Sequence, residues 1–343
     1  MTDAATAAFV RAIPKAELHV HIEGTIEPEH AFALAERNAV TLPWATAEAL
    51  KDAYRFDDLQ SFLDVYYQVT AVLTTVADFA DIVTAYFDRA AAQGVRHVEL
   101  FFDPQSHTGR GVPMSVVMDG LWSAVSRSVE THGLTSSLIL CFLRDLGAEA
   151  AAETLREAEP YLDRIVGVGL DSAEAGHPPA AFHDVFAAAA LFGLRRVAHA
   201  GEEGPPAYVV EALDALGAER IDHGVRALED PALVARLAEE RVPLTVCPLS
   251  NVRLRGVDSI AQHPLGRMLD AGLLVSVNSD DPAYFGGYVG DNMIALHDDP
   301  RYDLATLRVL AENSFRSAFL DDDTRTALVG EVHRHFERGV QGA

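Results

Sequence analysis

A chain of 343 residues with 49% hydrophobic and 23% charged residues is long enough to bury a large core and has the make-up of a soluble globular protein. Its 27 Lys and Arg against 51 Asp and Glu give a formal charge of −24, which repels phosphate backbones and argues against nucleic acid as a partner. No stretch reaches the roughly 20 apolar residues of a membrane span, the start "MTDAATAAFVRAIPKAE" lacks a signal core, and Cys141 and Cys247 have no C-x-x-C spacing, so the expectation is a cytoplasmic protein without a disulfide framework or a membrane.

The first β-rich run, "ELHVHI" (17–22), carries His19 and His21. Strand side chains alternate faces, so these imidazoles point the same way with Cα atoms roughly 6 to 7 Å apart. That spacing lets two ring nitrogens converge on one metal ion; a pair of satisfied interior histidines is the other reading of an isolated H-x-H. Residues 27–94 are too many for one barrel helix and divide into several, "EHAFALAERN", "DLQSFLDVYYQVTAVL" and "VADFADIVTAYFDRAAAQG", a helical insertion able to cover a barrel mouth as a lid.

Seven more short apolar runs follow: "VRHVELFF" (95–102), "SSLILCFL" (136–143), "IVGVGLDS" (165–172), "RRVAHA" (195–200), "ERIDHGV" (219–225), "PLTVCPL" (243–249) and "LLVSVNSD" (273–280). Between most of them lie segments with helical spacing of apolar positions, such as 115–133, 180–193 and 231–242, and two terminal helices close the chain. Eight strands alternating with helices predict an α/β fold, a closed (β/α)8 TIM barrel with a helical insertion after the first strand and C-terminal helices. A doubly wound sheet is the alternative, weakened because no G-x-G-x-x-G follows the first strand and no G-x-x-x-x-G-K-[ST] occurs. Without linker or repeat, residues 1–343 read as one domain.

Polar residues gather at the expected strand ends: "HAGEE" (199–203), "DHG" (222–224) and "NSDDP" (278–282) join His19 and His21. In a barrel these ends share the face that carries chemistry. His19, His21 and His199 with Asp280 would give three nitrogens and one oxygen, a donor set that suits a single catalytic zinc with a position left for water. Glu202, His223 and Asp281 fall beside that set as acid, base and substrate-orienting groups; taken singly each has a structural reading, as a loop acid, a core histidine and a turn cap.

The pieces "PKAELHVHIEGT" (14–25), "HAGEEG" (199–204), "RIDHGVRALED" (220–230), "VCPLSN" (246–251) and "NSDDPAYF" (278–285), in this order and spanning nearly all of the chain, resemble the adenosine deaminase branch of the metal-dependent amidohydrolases. The resemblance implies a barrel with one zinc ion that hydrolytically removes the 6-amino group of an aminopurine as ammonia. It implies His19, His21, His199 and Asp280 as zinc ligands, Glu202 as the group that hands a proton to purine N1, His223 as the residue that orients and helps deprotonate the attacking water, and Asp281 as the partner of N7.

Where the nucleoside enzymes of the family resemble D-L-A-G, this chain has "LDSAEAG" (170–176), which puts Glu174 in the place of the glycine. A carboxylate there would crowd a ribose yet accept a hydrogen bond from the N9–H that only a free base has. Where they resemble H-x-D-G, Glu23 stands in "HIEG" and reaches further into the sugar's space. Both point to adenine and to the adenine deaminase subgroup, with a role in purine salvage; adenosine, a modified adenosine, or a silent metal- or purine-binding protein are the alternatives. Oligomeric state is not legible in the sequence.

Overall fold

The computed structural model describes residues 2–341. Strands β1 (Lys15–His21), β2 (Val95–Phe102), β3 (Thr135–Leu143), β4 (Ile165–Asp171), β5 (Arg195–Ala200), β6 (Arg220–His223), β7 (Pro243–Val246) and β8 (Leu274–Val277) pair in parallel in chain order, with helices in every connection. The last strand meets the first through a parallel bridge between Val20 and Asp280, where the His21 N–H donates to the Asp280 carbonyl and the Asp280 N–H to the His19 carbonyl, both at 3.0 Å. The (β/α)8 barrel expected from the sequence is therefore nearly closed. Its seam runs through three of the residues expected at a metal.

Every residue of β1, β6 and β8 is buried, because helices cover the outside and side chains fill the inside; this is why the strands read as apolar runs and not as alternation. Some of the polar groups inside are paired with one another. Arg220 Nη1 donates to Glu99 Oε2 at 2.5 Å, and His97 Nε2 lies 3.3 Å from Glu99 Oε1, a structural role for that histidine.

Three strand-to-helix turns place a proline at the first helical residue: Asp103-Pro104, Cys247-Pro248 and Asp281-Pro282. Proline presets the helical φ and keeps the residue before it out of the helix. Asp103 and Asp281 accordingly have φ −111° and −116° with ψ 81° and 76°, which leaves both at the barrel mouth.

The insertion after β1 forms four helices, Pro28–Asn38, Ala47–Asp52, Leu59–Thr70 and Val76–Ala92. Reciprocal caps, Asp58 with Ser61 and Thr75 with Asp78, start the last two. One expected helix, 115–133, is instead two, Met114–Val125 and Ser128–His132; the break lets Ser128 accept the Ser136 hydroxyl (2.9 Å) as the chain turns toward β3. The terminal helices are Leu304–Ser317 and Asp322–Gln341. No helix among the described residues is long and apolar enough to cross a membrane.

Candidate active site

His19 and His21 on β1, His199 on β5 and Asp280 just past β8 converge, each offering one donor atom within 4.8 Å of all the others. His21 Nε2 lies 3.1 Å from His199 Nε2, His19 Nε2 lies 3.3 Å from Asp280 Oδ1, and His21 Nε2 lies 3.6 Å from the same oxygen. Such separations are those of ligands about 2 Å from a common centre. His19 Nε2 is buried without a hydrogen-bond partner, an orphan that a cation would satisfy.

The far side of the His19 ring is held: His19 Nδ1 donates toward Thr245 Oγ1 (3.1 Å), whose hydroxyl donates to Asp222 Oδ1 (2.7 Å). An acceptor behind Nδ1 fixes the tautomer that leaves Nε2 free to ligate. Carboxylates stand behind the other two rings without a hydrogen bond, Asp222 Oδ2 3.7 Å from His199 Nδ1 and Asp171 Oδ2 3.5 Å from His21 Nδ1. The Ser250 hydroxyl donates to Asp280 Oδ2 at 2.6 Å. Burial and then the neighbouring imidazoles push His199 well below its ordinary pKa, which keeps it neutral; burial alone would raise Asp280, but His19 and the other histidines hold it well below the carboxylate range. Three neutral-capable imidazoles and an ionised carboxylate fit a divalent cation such as zinc.

Glu202, in the turn after β5, lines the cavity beside this set. Burial, followed by the charges of Asp280 and Glu174, raises its carboxyl well above the ordinary range, which favours its protonated form. His223 closes β6 with Nε2 3.5 Å from Glu202 Oε2 and 3.7 Å from Asp280 Oδ2. Burial, then His19, pushes its pKa down to about 3, a neutral imidazole. Its other nitrogen faces Asn251 Nδ2 (3.4 Å), whose amide oxygen faces His263 Nε2 (3.1 Å). His223 and Asp280 both sit at positive φ, 63° and 66°, strain of the kind that collects at functional sites.

Asp281 is buried on the cavity wall with Oδ1 unpartnered, and burial together with Asp280 raises its carboxyl well above the ordinary range. Gly24 packs against it so closely that a Cβ there would come within 1.9 Å of Oδ1, which explains the glycine of "HIEG". The cavity spans about 400 Å³, open space at its mouth included. Leu59, Phe62, Leu63, Tyr66 and Tyr67 of the Leu59–Thr70 helix form one wall, with the Phe62 ring tilted against that of Phe285 at 4.7 Å between centroids, so the insertion does cover the mouth.

Two expectations are corrected. Glu174 is not on the cavity wall: its carboxylate accepts the backbone N–H groups of Gly201 (2.7 Å), Glu202 (3.0 Å), Glu203 (2.8 Å) and Gly204 (2.8 Å), which commits both oxygens to the turn after β5. Glu23 is also outside the cavity wall, with Oε1 accepting from the Asp103 N–H (3.2 Å) and facing His107 Nε2 (2.9 Å). Both acids sit behind the site and shape it.

Sequence reasoning also missed groups on the wall: Asp103 and Asp171, at the ends of β2 and β4, and Tyr67, whose hydroxyl bonds Ser172 Oγ at 2.9 Å. A signal existed. "FFDP" (101–104) repeats the acid-proline turn of "SDDP" (279–282), and "LDS" (170–172) ends a strand in an acid.

The adenosine deaminase family model matches residues 14–335. An adenine deaminase of Streptomyces coelicolor is 67% identical over 94% of this chain and 96% of its own length, and one of Caulobacter vibrioides 55% identical over 98% and 99%. Among solved structures, an adenine deaminase from Arthrobacter aurescens superposes with a TM-score of 0.94 at 53% identity, covering 95% of this chain and 100% of that one. A zinc-bound amidohydrolase from Burkholderia ambifaria gives 0.90 at 28% identity, covering 98% and 95%.

Proposed function

The chain belongs to the adenosine deaminase family and deaminates adenine; from that premise we propose that the reaction is hydrolytic, yields hypoxanthine and ammonia, and uses one zinc ion held by His19, His21, His199 and Asp280. The observation that carries this reading is a His₃Asp set flanked on one cavity wall by two buried carboxyls, Glu202 and Asp281, both pushed above the ordinary carboxylate range by burial and the Asp280 charge. When bound, the ion supplies Lewis acidity that makes hydroxide available from water near neutral pH, where free water has a pKa near 16.

The remaining steps belong to the chain. Neutral His223, aimed at the Asp280 side, orients the attacking water and takes its proton. As oxygen bonds to C6, the ring loses aromaticity and N1 becomes basic; the Glu202 carboxyl hands it a proton and so accommodates the displaced electron pair. Asp281, protonated, donates to N7 and fixes the face of the base. The C6–N6 bond then breaks as the amino group takes up the proton held on His223 and leaves as ammonia, while the C6 hydroxyl gives its proton to Glu202 and becomes the carbonyl of hypoxanthine. Phe62, Tyr66 and Phe285 exclude bulk water from this exchange.

In this reading residues 1–343 act as one cytoplasmic purine-salvage enzyme on a small aminopurine, and the charge of −24 sets nucleic acids apart as partners. Metal analysis of the purified protein tests the assignment: one zinc per chain, with ammonia and hypoxanthine formed from adenine in equal amounts, is expected. Full turnover after complete removal of metal would contradict it.

A further inference from the structure

With Glu174 committed to four backbone N–H groups, nothing yet faces the edge of adenine that distinguishes the free base from a nucleoside, its N9–H. The cavity wall carries two carboxyls outside the acid, base and metal set, Asp103 and Asp171, and Asp103 is the one that does not stand behind a metal-site imidazole. Asp103 stands at the end of β2, only 3% exposed, on the cavity wall. Its Oδ2 accepts the Tyr66 hydroxyl at 3.3 Å; its Oδ1 takes no hydrogen bond from an N–H or hydroxyl donor, and the Asp171 carboxyl is the polar group within reach of Asp103. A buried oxygen left unpaired costs free energy on the order of 1 to 3 kcal/mol, so a site that keeps one awaits a donor.

The surroundings indicate which donor. Phe62, Leu63 and Tyr66 form an apolar and aromatic wall, suited to a flat ring and not to a hydrated sugar. Asp103 lies near enough to Asp281 for its charge to act on that carboxyl, and both act on Tyr66 between them. If Asp281 holds N7, the five-membered ring continues through C8 to N9 on the same side of the base. The carboxyl that acts on Asp281 from outside the acid, base and metal set is Asp103. Asp171, also unpartnered, lies with it within 4.8 Å of His21, but stands behind that imidazole at 3.5 Å.

We propose that Asp103 is a specificity-determining residue, its Oδ1 accepting the N9–H of adenine. The assignment rests on the adenine reading above and gives it a mechanism. A substituent on N9 removes the donor and puts a carbon against a buried carboxylate, so nucleosides are rejected by a lost hydrogen bond as well as by size. Sites built to pair a substrate N–H discriminate strongly against analogues that lack it.

The test crosses two enzymes with two substrates that differ by one methyl group. For the zinc-loaded wild type and Asp103→Ala, kcat/KM is measured for adenine and for 9-methyladenine, with metal content and melting temperature recorded for each. The wild type is expected to prefer adenine by about 1000-fold or more. In Asp103→Ala, adenine falls about 100-fold while 9-methyladenine changes less than about threefold, so the preference collapses. Asp103→Asn, which keeps an acceptor oxygen, retains an intermediate preference.

A preference that stays the same while both substrates fall together would assign Asp103 a purely structural role and overturn the proposal. Inhibition constants for hypoxanthine and 9-methylhypoxanthine on the wild type alone give the same ratio should a variant fail to fold or the methylated base turn over too slowly to follow; near-equal constants would overturn it. Failure of the wild type to act on adenine at all would instead overturn the substrate reading on which the proposal rests.

Discussion

Glu202 carries the expectation most specific to a single residue. As a buried acid it works only while it holds its proton, so the activity it supports is present below its raised pKa and lost as pH climbs through it. Glu202→Gln should keep its metal, since the carboxyl is not among the four donors, and lose about 100- to 10,000-fold in kcat. Its pH profile should lack the alkaline limb that the wild type shows for adenine. Near wild-type kcat in the variant would remove Glu202 from proton transfer. His223 and Asp281 follow the same logic of burial beside charge, neutral imidazole and protonated carboxyl, and their types and positions were legible in "DHG" and "NSDDP" because strand ends of a barrel face one another.

At the scale of an element, the turn "HAGEEG" after β5 depends on a residue from the turn after β4. Glu174 gathers the N–H groups of Gly201 through Gly204 in one carboxylate and so sets where Glu202 stands. Gly204 is required there: a Cβ would come within 2.4 Å of Glu174 Oε1. Glu174→Ala leaves the buried N–H groups of Gly201 and Gly204 unpaired, at a cost of about 2 to 6 kcal/mol. Denaturant unfolding should register that loss, with kcat for adenine reduced because Glu202 is no longer held. A variant within 0.5 kcal/mol of wild type would show that the turn is ordered without it. Placing Glu174 at the base edge from the sequence failed for a physical reason: the position of a Cα along a strand end says nothing of four unpaired backbone donors one turn away, and the side chain is long enough to reach them.

At the scale of the molecule, the eight strands were legible because burial on both faces writes each as a short apolar run, and the lid was legible because 68 residues, 27–94, exceed what one barrel connection needs. The closure of the barrel was not. Nothing in "LHVHI" or "VNSDD" announces that the backbone of His19, His21 and Asp280 forms the seam between β1 and β8, so that fold and metal set depend on the same few residues. Asp103 escaped notice for a related reason, since an acid before a proline gains meaning only once its strand end is seen to face the cavity. The most direct test of this account is kcat/KM of the zinc-loaded enzyme for adenine against adenosine: the account predicts a preference for adenine of at least about 100-fold, and equal rates or a preference for adenosine would contradict it.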